Sequence, residues 1–388
     1  MTTRVAFAYH FNDGDWLGGK NYFASLFRAI RAIASADLEW VFVTGEKTST
    51  SLPQEFPWLE VVRTPILDRL HPRWLARQFT LRTLDTDPLL SRLLRSHAVD
   101  VLSHSGYLGH DTGIKTLPWL YDFQFMHLPE YWEPKHVRWA EQRYRASCKY
   151  ADALIVSSND ALRDLRTFAP ECKTPMCVLQ FVSNPVDFDR LPSKPEILRK
   201  YDLPEDYFYL PNQFWTNKNH RLALDALGVL KREGVHCTIA CTGKTLDGRK
   251  PDYFDQLMAH CRNAGLADSF RVLGVVPYTD LQGLMAHASA VINPSRFEGW
   301  STTVEEAKTF QRRLLLSDIP VHREQSPDLG HFFDVSDANA LARLLTECLS
   351  EAPRPVSQPV IEADYARRLQ SFGATYVRLI RDTAASKS

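Results

Sequence analysis

The 388-residue chain has no net charge, its 46 lysines and arginines balancing 46 aspartates and glutamates. Such a surface does not attract polyanions as a whole, so bulk nucleic-acid binding is not implied and only local patches could serve it. No apolar run approaches the roughly 18 residues that cross a bilayer. Cysteine is sparse, with seven residues and no Cys-x-x-Cys spacing. Cys237 and Cys241, in HCTIAC, alternate with apolar neighbours as buried strand residues do. Structural thiols in a reducing compartment are expected in preference to a zinc site. The start, MTTRVAFAYH, goes straight into an alternating strand pattern and lacks a signal peptide's apolar stretch, so a cytoplasmic protein is expected.

Apolar residues make up 44% of the chain, ample for globular cores, and its length exceeds what one core usually serves. The most informative stretch is VINPSRFEGWSTTVEEA, Val291 to Ala307. It reads as a buried strand, a Pro-Ser turn, a polar loop and a helix start. Glu298 falls in the loop and Glu306 about one turn into the helix. Both can therefore face a ligand at the carboxyl end of the strand, where open α/β sheets bind their ligands. Free backbone N–H groups at the helix start suit phosphate, and carboxylates suit hydroxyls. The combination points to a sugar nucleotide. The simpler alternative is that Glu305 and Glu306 are the solvated face of a helix.

PSRFEGWSTTVEEA resembles the signature of the retaining glycosyltransferases of family 4. Pro294, Ser295, Glu298, Gly299, Trp300, Ser301, Glu306 and Ala307 all match its pattern. The resemblance implies an α/β GT-B fold, with two Rossmann-like domains facing each other across a cleft. Residues 1–185 would form the acceptor-side domain and 186–364 the nucleotide-sugar domain, with 365–388 a helix returning to the first. It further implies that Glu306 takes the ribose hydroxyls, that Glu298 contacts sugar hydroxyls, and that the departing phosphate acts as base. LPNQFWTNKNH is similar to bacterial enzymes that build surface polysaccharides such as O-antigen, and GDP-mannose is the favoured donor among such sequences. The nucleotide sugar and a saccharide acceptor, either free or lipid-linked, are the implied partners.

In the first half, strand Arg4–His10 leads through FNDGDWLGGKNY to a helix beginning near Phe23. Gly18 and Gly19 let the backbone approach a ligand, or else form a tight turn. The resemblance places a paired-glycine loop here, near the donor diphosphate. Residues 63–97 hold seven arginines against three aspartates among Leu, Trp, Ile and Phe. They either touch an anionic membrane or anionic acceptor, or pack as ordinary surface helices. The first reading would place the enzyme on the inner face of the cell membrane. LPWLY, residues 117–121, reads as a strand running into a polar and aromatic loop, and Asn159 as a helix cap. Asp122 and His127 are acceptor-side candidates. Tyr121 stands where the family usually carries a histidine.

In the second half, Lys218 sits at a helix start, where a cation is unfavourable unless it meets a ligand anion. It reads as a diphosphate clamp, left free by the neighbouring carboxylates. The family usually adds an arginine five residues earlier. Here Gln213 occupies that place, and Arg296 is the first candidate to replace it. Gly243, Val276 and Tyr278 lie in strand-end loops that the resemblance associates with the nucleotide base. Metal independence is expected: Asp85-Thr86-Asp87 matches the Asp-x-Asp motif of metal-dependent transferases only by letter, since it lies in the arginine-rich stretch. Two alternatives remain: a GT-B phosphorylase or glycogen-type synthase, and a non-catalytic nucleotide-sugar or glycan-binding module.

Overall fold

The computed structural model describes residues 2–110, 112–325, 327–350 and 357–386. The chain divides into two compact units, each Rossmann-like. The first comprises Met1–Phe123, Lys135–Val182 and Arg367–Ser388, and the second Gln124–Pro134 and Ser183–Ala366.

The first unit contains β1 (Thr3–Tyr9), β2 (Leu38–Thr44), β3 (Glu60–Arg63), β4 (Val101–Ser103) and β5 (Lys115–Leu117), in the order β3-β2-β1-β4-β5. Every pairing is parallel. Val5, Ala6 and Phe7 are all fully buried, as a strand covered on both faces requires. A smaller parallel sheet holds β6 (Trp119–Leu120), β7 (Leu154–Val156) and β8 (Met176–Val178). LPWLY is therefore not one strand. Pro118, which has no N–H to give a ladder, separates β5 from β6 and passes the chain to the next sheet.

The first helix, Leu17–Ile33, begins earlier than its apolar periodicity suggested, so Gly18 and Gly19 lie in its first turn. Ser158, not Asn159, caps helix Asn159–Phe168, accepting from the Ala161 N–H at 3.0 Å. The arginine-rich stretch resolves into two unlike helices. Pro88–Ser96 buries Leu90 and Leu94 against Val41 and Leu102, whereas Pro72–Thr83 buries no residue. Asp87 caps helix Pro88–Ser96, accepting from the Leu90 N–H at 3.1 Å, and pairs with Arg77 of the other helix. Its role is structural. In the closing helix, Gln358–Ala385, Gly373 lies against the Ala29 backbone and the Tyr376 hydroxyl donates to Ser103 Oγ at 2.8 Å.

The second unit contains β9 (Phe208–Leu210), β10 (Ile239–Thr242), β11 (Phe270–Gly274), β12 (Ala290–Asn293), β13 (Leu314–Ser317) and β14 (Gly330–Phe333). They form one parallel sheet in the order β11-β10-β9-β12-β13-β14. Along β12 the side chains alternate: Ala290 and Ile292 join the core under helix His220–Arg232, and Val291 joins the core under helix Thr302–Thr309. Winding reverses between β9 and β12. In doubly wound sheets the ligand crevice opens there, outside the carboxyl ends of the strands.

Candidate active site

The reversal point is held together by polar side chains where apolar strands end. Asn212, just past β9, donates to Asn293 Oδ1 at 3.0 Å and accepts from Thr303 Oγ1 at 3.1 Å. Asn293 in turn donates to Ser301 Oγ at 2.8 Å, and Ser301 caps the following helix by accepting from the Val304 N–H. Gln325 closes the far side, accepting from Ser301 N and donating to Ser301 O. All five of these polar residues are buried. They fix the loop 294–301 and aim the helix start that follows it, because a satisfied buried polar network permits few alternative arrangements.

On this frame stands a buried ion pair. Lys218 Nζ lies 2.6 Å from Glu298 Oε1, with the two side chains only 14% and 10% exposed. Lys218 closes a short turn, Thr216–Lys218, and Asn219 follows it with a left-handed backbone (φ 56°) that starts helix His220–Arg232. Burial pushes the Glu298 carboxyl up, but Lys218 outweighs it and holds the group below the usual range. The lysine is thus not left free for phosphate by its acidic neighbours, as the sequence suggested. It already has a carboxylate, and an incoming anion would have to share or take it.

Glu306 is the opposite case. It is 9% exposed, its Oε1 accepts from the Tyr278 hydroxyl at 3.1 Å, and burial pushes it up to about 7. Tyr278 opens helix Tyr278–His287, so its hydroxyl serves this carboxylate. Val276 packs into the core beside Leu284. Gly243 has φ 139° and lies against the Asn212 backbone, where a Cβ would collide with Asn212 O. Gln213 Oε1 accepts from Lys244 N at 2.8 Å, tying the loops after β9 and β10 together. Arg296 is exposed and its guanidinium reaches Asn219 Oδ1 at 3.4 Å. Gly299 and Trp300 are half-buried in the loop.

The two acceptor-side candidates fall to different units. Asp122 stays in the first, where its carbonyl accepts from the Tyr144 hydroxyl at 2.9 Å. His127 belongs to the short segment Gln124–Pro134 of the second unit and stacks on Phe297, ring centroids 5.0 Å apart. Arg249, which sequence reasoning missed, braces that segment. It donates to Gln124 Oε1 at 2.5 Å and Asn217 Oδ1 at 3.1 Å, pairs with Asp247 at 3.2 Å, and lies beside the Trp132 and Trp215 rings. In the first unit, Gly19 has a local explanation: a Cβ there would collide with the Trp16 ring, which covers it. Gly18 has nothing within 4 Å of such a position. Among the described residues, no group of three or more His, Cys, Asp or Glu is placed to hold a metal ion.

Comparison with known proteins agrees with this geometry. The family of glycosyl transferases group 1 matches residues 193–363, nearly all of the second unit. No curated protein sequence matches the chain. Among solved structures, sucrose-phosphate synthase from Thermosynechococcus elongatus is similar at a TM-score of 0.67 and 15% identity, covering 99% of this chain and 100% of that one. Anabaena HepE in complex with UDP and glucose gives 0.65 and 15%, over 99% and 100%. WaaG, a glycosyltransferase involved in lipopolysaccharide biosynthesis, gives 0.59 and 14%, over 96% and 95%. The chain therefore has the GT-B fold, two Rossmann-like α/β domains. Its second unit is that of a glycosyltransferase.

Proposed function

We propose that the protein transfers a hexosyl unit, with retained configuration, from a nucleoside-diphosphate sugar to a saccharide or lipid-linked saccharide during surface-polysaccharide synthesis. One observation carries this reading: the buried Lys218–Glu298 pair stands at the reversal point of a parallel sheet, with Glu306 on the next helix. When the donor binds, its diphosphate draws on the Lys218 ammonium, and Glu298 turns to the sugar hydroxyls. Glu306, once deprotonated, accepts the ribose hydroxyls. As the glycosidic bond breaks, negative charge grows on the leaving diphosphate, and Lys218 with the nearby helix N-terminus stabilises it. The departing phosphate takes the acceptor proton. Arg296, exposed beside Asn219, is the added cation, and Gly18 the point of close backbone approach. Asp122 and His127 serve the acceptor, and Gln213, Gly243 and Val276 hold the loops around the base. The scheme needs no metal ion.

The resemblance to family 4 sequences favours GDP-mannose as donor. HepE, named with UDP and glucose, makes UDP-glucose the first competitor. Residues 63–97 would rest the enzyme on the inner face of an anionic membrane. A panel of GDP-, UDP-, dTDP- and ADP-sugars, read by nucleotide release and by protection against thermal unfolding, tests the assignment. One donor should be turned over, and Glu298→Gln should lower kcat/KM by about a hundredfold or more. If no activated sugar protects the protein or releases nucleotide, the reading fails. Phosphate-dependent release of a sugar 1-phosphate would favour a phosphorylase instead.

A further inference from the structure

The turn that carries Lys218 and the loop that carries Glu298 are tied to each other beside the ion pair, and one guanidinium completes the tie. Arg249 lies in the loop after β10, its side chain 25% exposed. Its Nε donates to Asp247 Oδ1 at 3.2 Å, Nη1 to Gln124 Oε1 at 2.5 Å and Nη2 to Asn217 Oδ1 at 3.1 Å. The Trp132 and Trp215 rings lie 5.7 and 5.5 Å from its central carbon and add cation–π attraction. All of these residues belong to the second unit.

Two of the three donor arms lead towards the ion pair. Asn217 immediately precedes Lys218, and its carbonyl accepts from the Arg296 N–H at 2.8 Å. Phe297 follows Arg296 and immediately precedes Glu298, and the His127 imidazole stacks on its ring with 28° between planes. His127 ends the short helix that Gln124 begins. The contacts therefore close a circuit that leaves Arg249 through Gln124 and returns through Asn217. It runs one residue from Lys218 on one side and one residue from Glu298 on the other. The third arm meets the buried Asp247 carboxylate, whose other oxygen accepts from the Thr216 N–H at 3.1 Å and so holds the same turn.

We propose that Arg249 is a positioning residue for the transfer: through Asn217 it sets Lys218 for the donor diphosphate, and through Gln124 it sets His127 for the acceptor. This rests on the donor and acceptor roles proposed above. Asp247, Gln124 and Asn217 are all buried, so an acceptor that loses its donor there is stranded and has to shift to find another. Fork geometry matters here beyond charge. A guanidinium serves three acceptors at once in fixed directions, whereas a lysine ammonium in its place answers Asp247 without also reaching Gln124 and Asn217.

The test compares Arg249→Lys with Gln124→Leu, which cuts only the arm towards His127, and Gln124→Glu, which keeps an oxygen for that arm. In the ligand-free full chain the His127 imidazole protons, assigned with His127→Asn, carry the ring-current shift of Phe297. Arg249→Lys and Gln124→Leu should each move these NMR resonances, and Gln124→Glu should hold them near their wild-type positions. Titrated with UDP and GDP, Arg249→Lys should bind the preferred nucleotide about tenfold more weakly than wild type, and Gln124→Leu as tightly as wild type. General loosening of the fold would not separate the two variants in this way. Resonances that stay in place in both Arg249→Lys and Gln124→Leu overturn the proposal, as does wild-type nucleotide affinity in Arg249→Lys. Should wild type bind neither nucleotide, the donor reading falls, and the His127 resonances alone then decide whether Arg249 sets that side chain.

Discussion

Lys218 and Glu298 neutralise each other in a place where neither could remain charged alone. A buried pair adds little net stability, but removing one partner strands the other, at a cost of about 3–5 kcal/mol. Lys218→Met should therefore lower the unfolding temperature clearly, and Lys218→Met with Glu298→Gln should recover most of the loss while both variants stay inactive. Calorimetric unfolding together with nucleotide release checks this. Equal destabilisation by the single and double variants would mean the two side chains do not depend on each other. Glu306 gives a second expectation. Burial raises its folded value from 4.5 to about 7, so its carboxyl favours the folded state most below about 4.5, and that contribution is lost as pH rises through 7. The charged form is then held at a cost on the order of 3 kcal/mol. Glu306→Gln should make the ligand-free protein more stable than wild type above pH 7, and not below pH 4.5. It should also remove the rise in donor affinity that wild type shows as pH passes 7 and the carboxylate becomes able to accept ribose hydroxyls. At this scale the sequence shows residue types but not partners. The spacing of Glu298 and Glu306 was legible in one continuous string. That Lys218 would meet Glu298 across 80 positions, or Tyr278 meet Glu306, was not, because those contacts arise only once β9, β12 and the helix Tyr278–His287 are assembled. Asn293 and Arg249 gave fainter signals. One is a polar residue ending an apolar strand, and the other is a cation in a loop with no regular pattern.

Among the elements, the start of the first helix separates two glycines that look alike in sequence. Gly19 underlies the Trp16 indole, whereas Gly18 faces open space. Gly19→Ala should displace the indole, which also packs on Trp119 at 6.0 Å and Phe11 at 5.0 Å, and lower stability by about 1–3 kcal/mol. Gly18→Ala should leave the unfolding temperature unchanged or slightly raised, since alanine is the better helix former. If a donor diphosphate comes close to Gly18, the same substitution should raise KM for the donor. Thermal unfolding and donor titration of the two variants separate packing from ligand approach, and an unaltered KM in Gly18→Ala would remove that residue from the site. Element type was legible wherever apolar period was strong, as in β2, β12 and helix His220–Arg232. It was misread where one residue overrides the pattern: Pro118 breaks an apolar run into two strands, and the Trp16 indole covers a first helical turn that is polar and glycine-rich.

For the molecule as a whole, zero net charge means that any attraction to a surface must be local. Helix Pro72–Thr83 supplies such a place. It buries nothing and leaves Leu75 50% and Phe79 65% exposed one turn apart, with Leu70 and Leu84 at 73% and 64% beyond its ends. Arg69, Arg73 and Arg82 flank these residues in sequence, while Arg77 is held by Asp87. An exposed apolar row with arginines about it suits the boundary between headgroups and acyl chains. Inserting one phenylalanine is worth about 1.5–3 kcal/mol and each arginine near an anionic surface about 1 kcal/mol, so neither holds the protein firmly alone. Binding to vesicles should accordingly need anionic lipid, weaken with salt as the Debye length shortens, and fall away in Leu75→Glu/Phe79→Glu. Because both side chains already face solvent, that variant should keep its unfolding temperature and its turnover of a soluble acceptor, yet lose activity on a membrane-held one. Cosedimentation of wild type and variant with anionic and zwitterionic vesicles decides the matter: equal recovery of both proteins on anionic vesicles would rule the helix out as the contact. Loss of binding in the variant alone would explain why apolar side chains stand in solvent on the outer face of this helix.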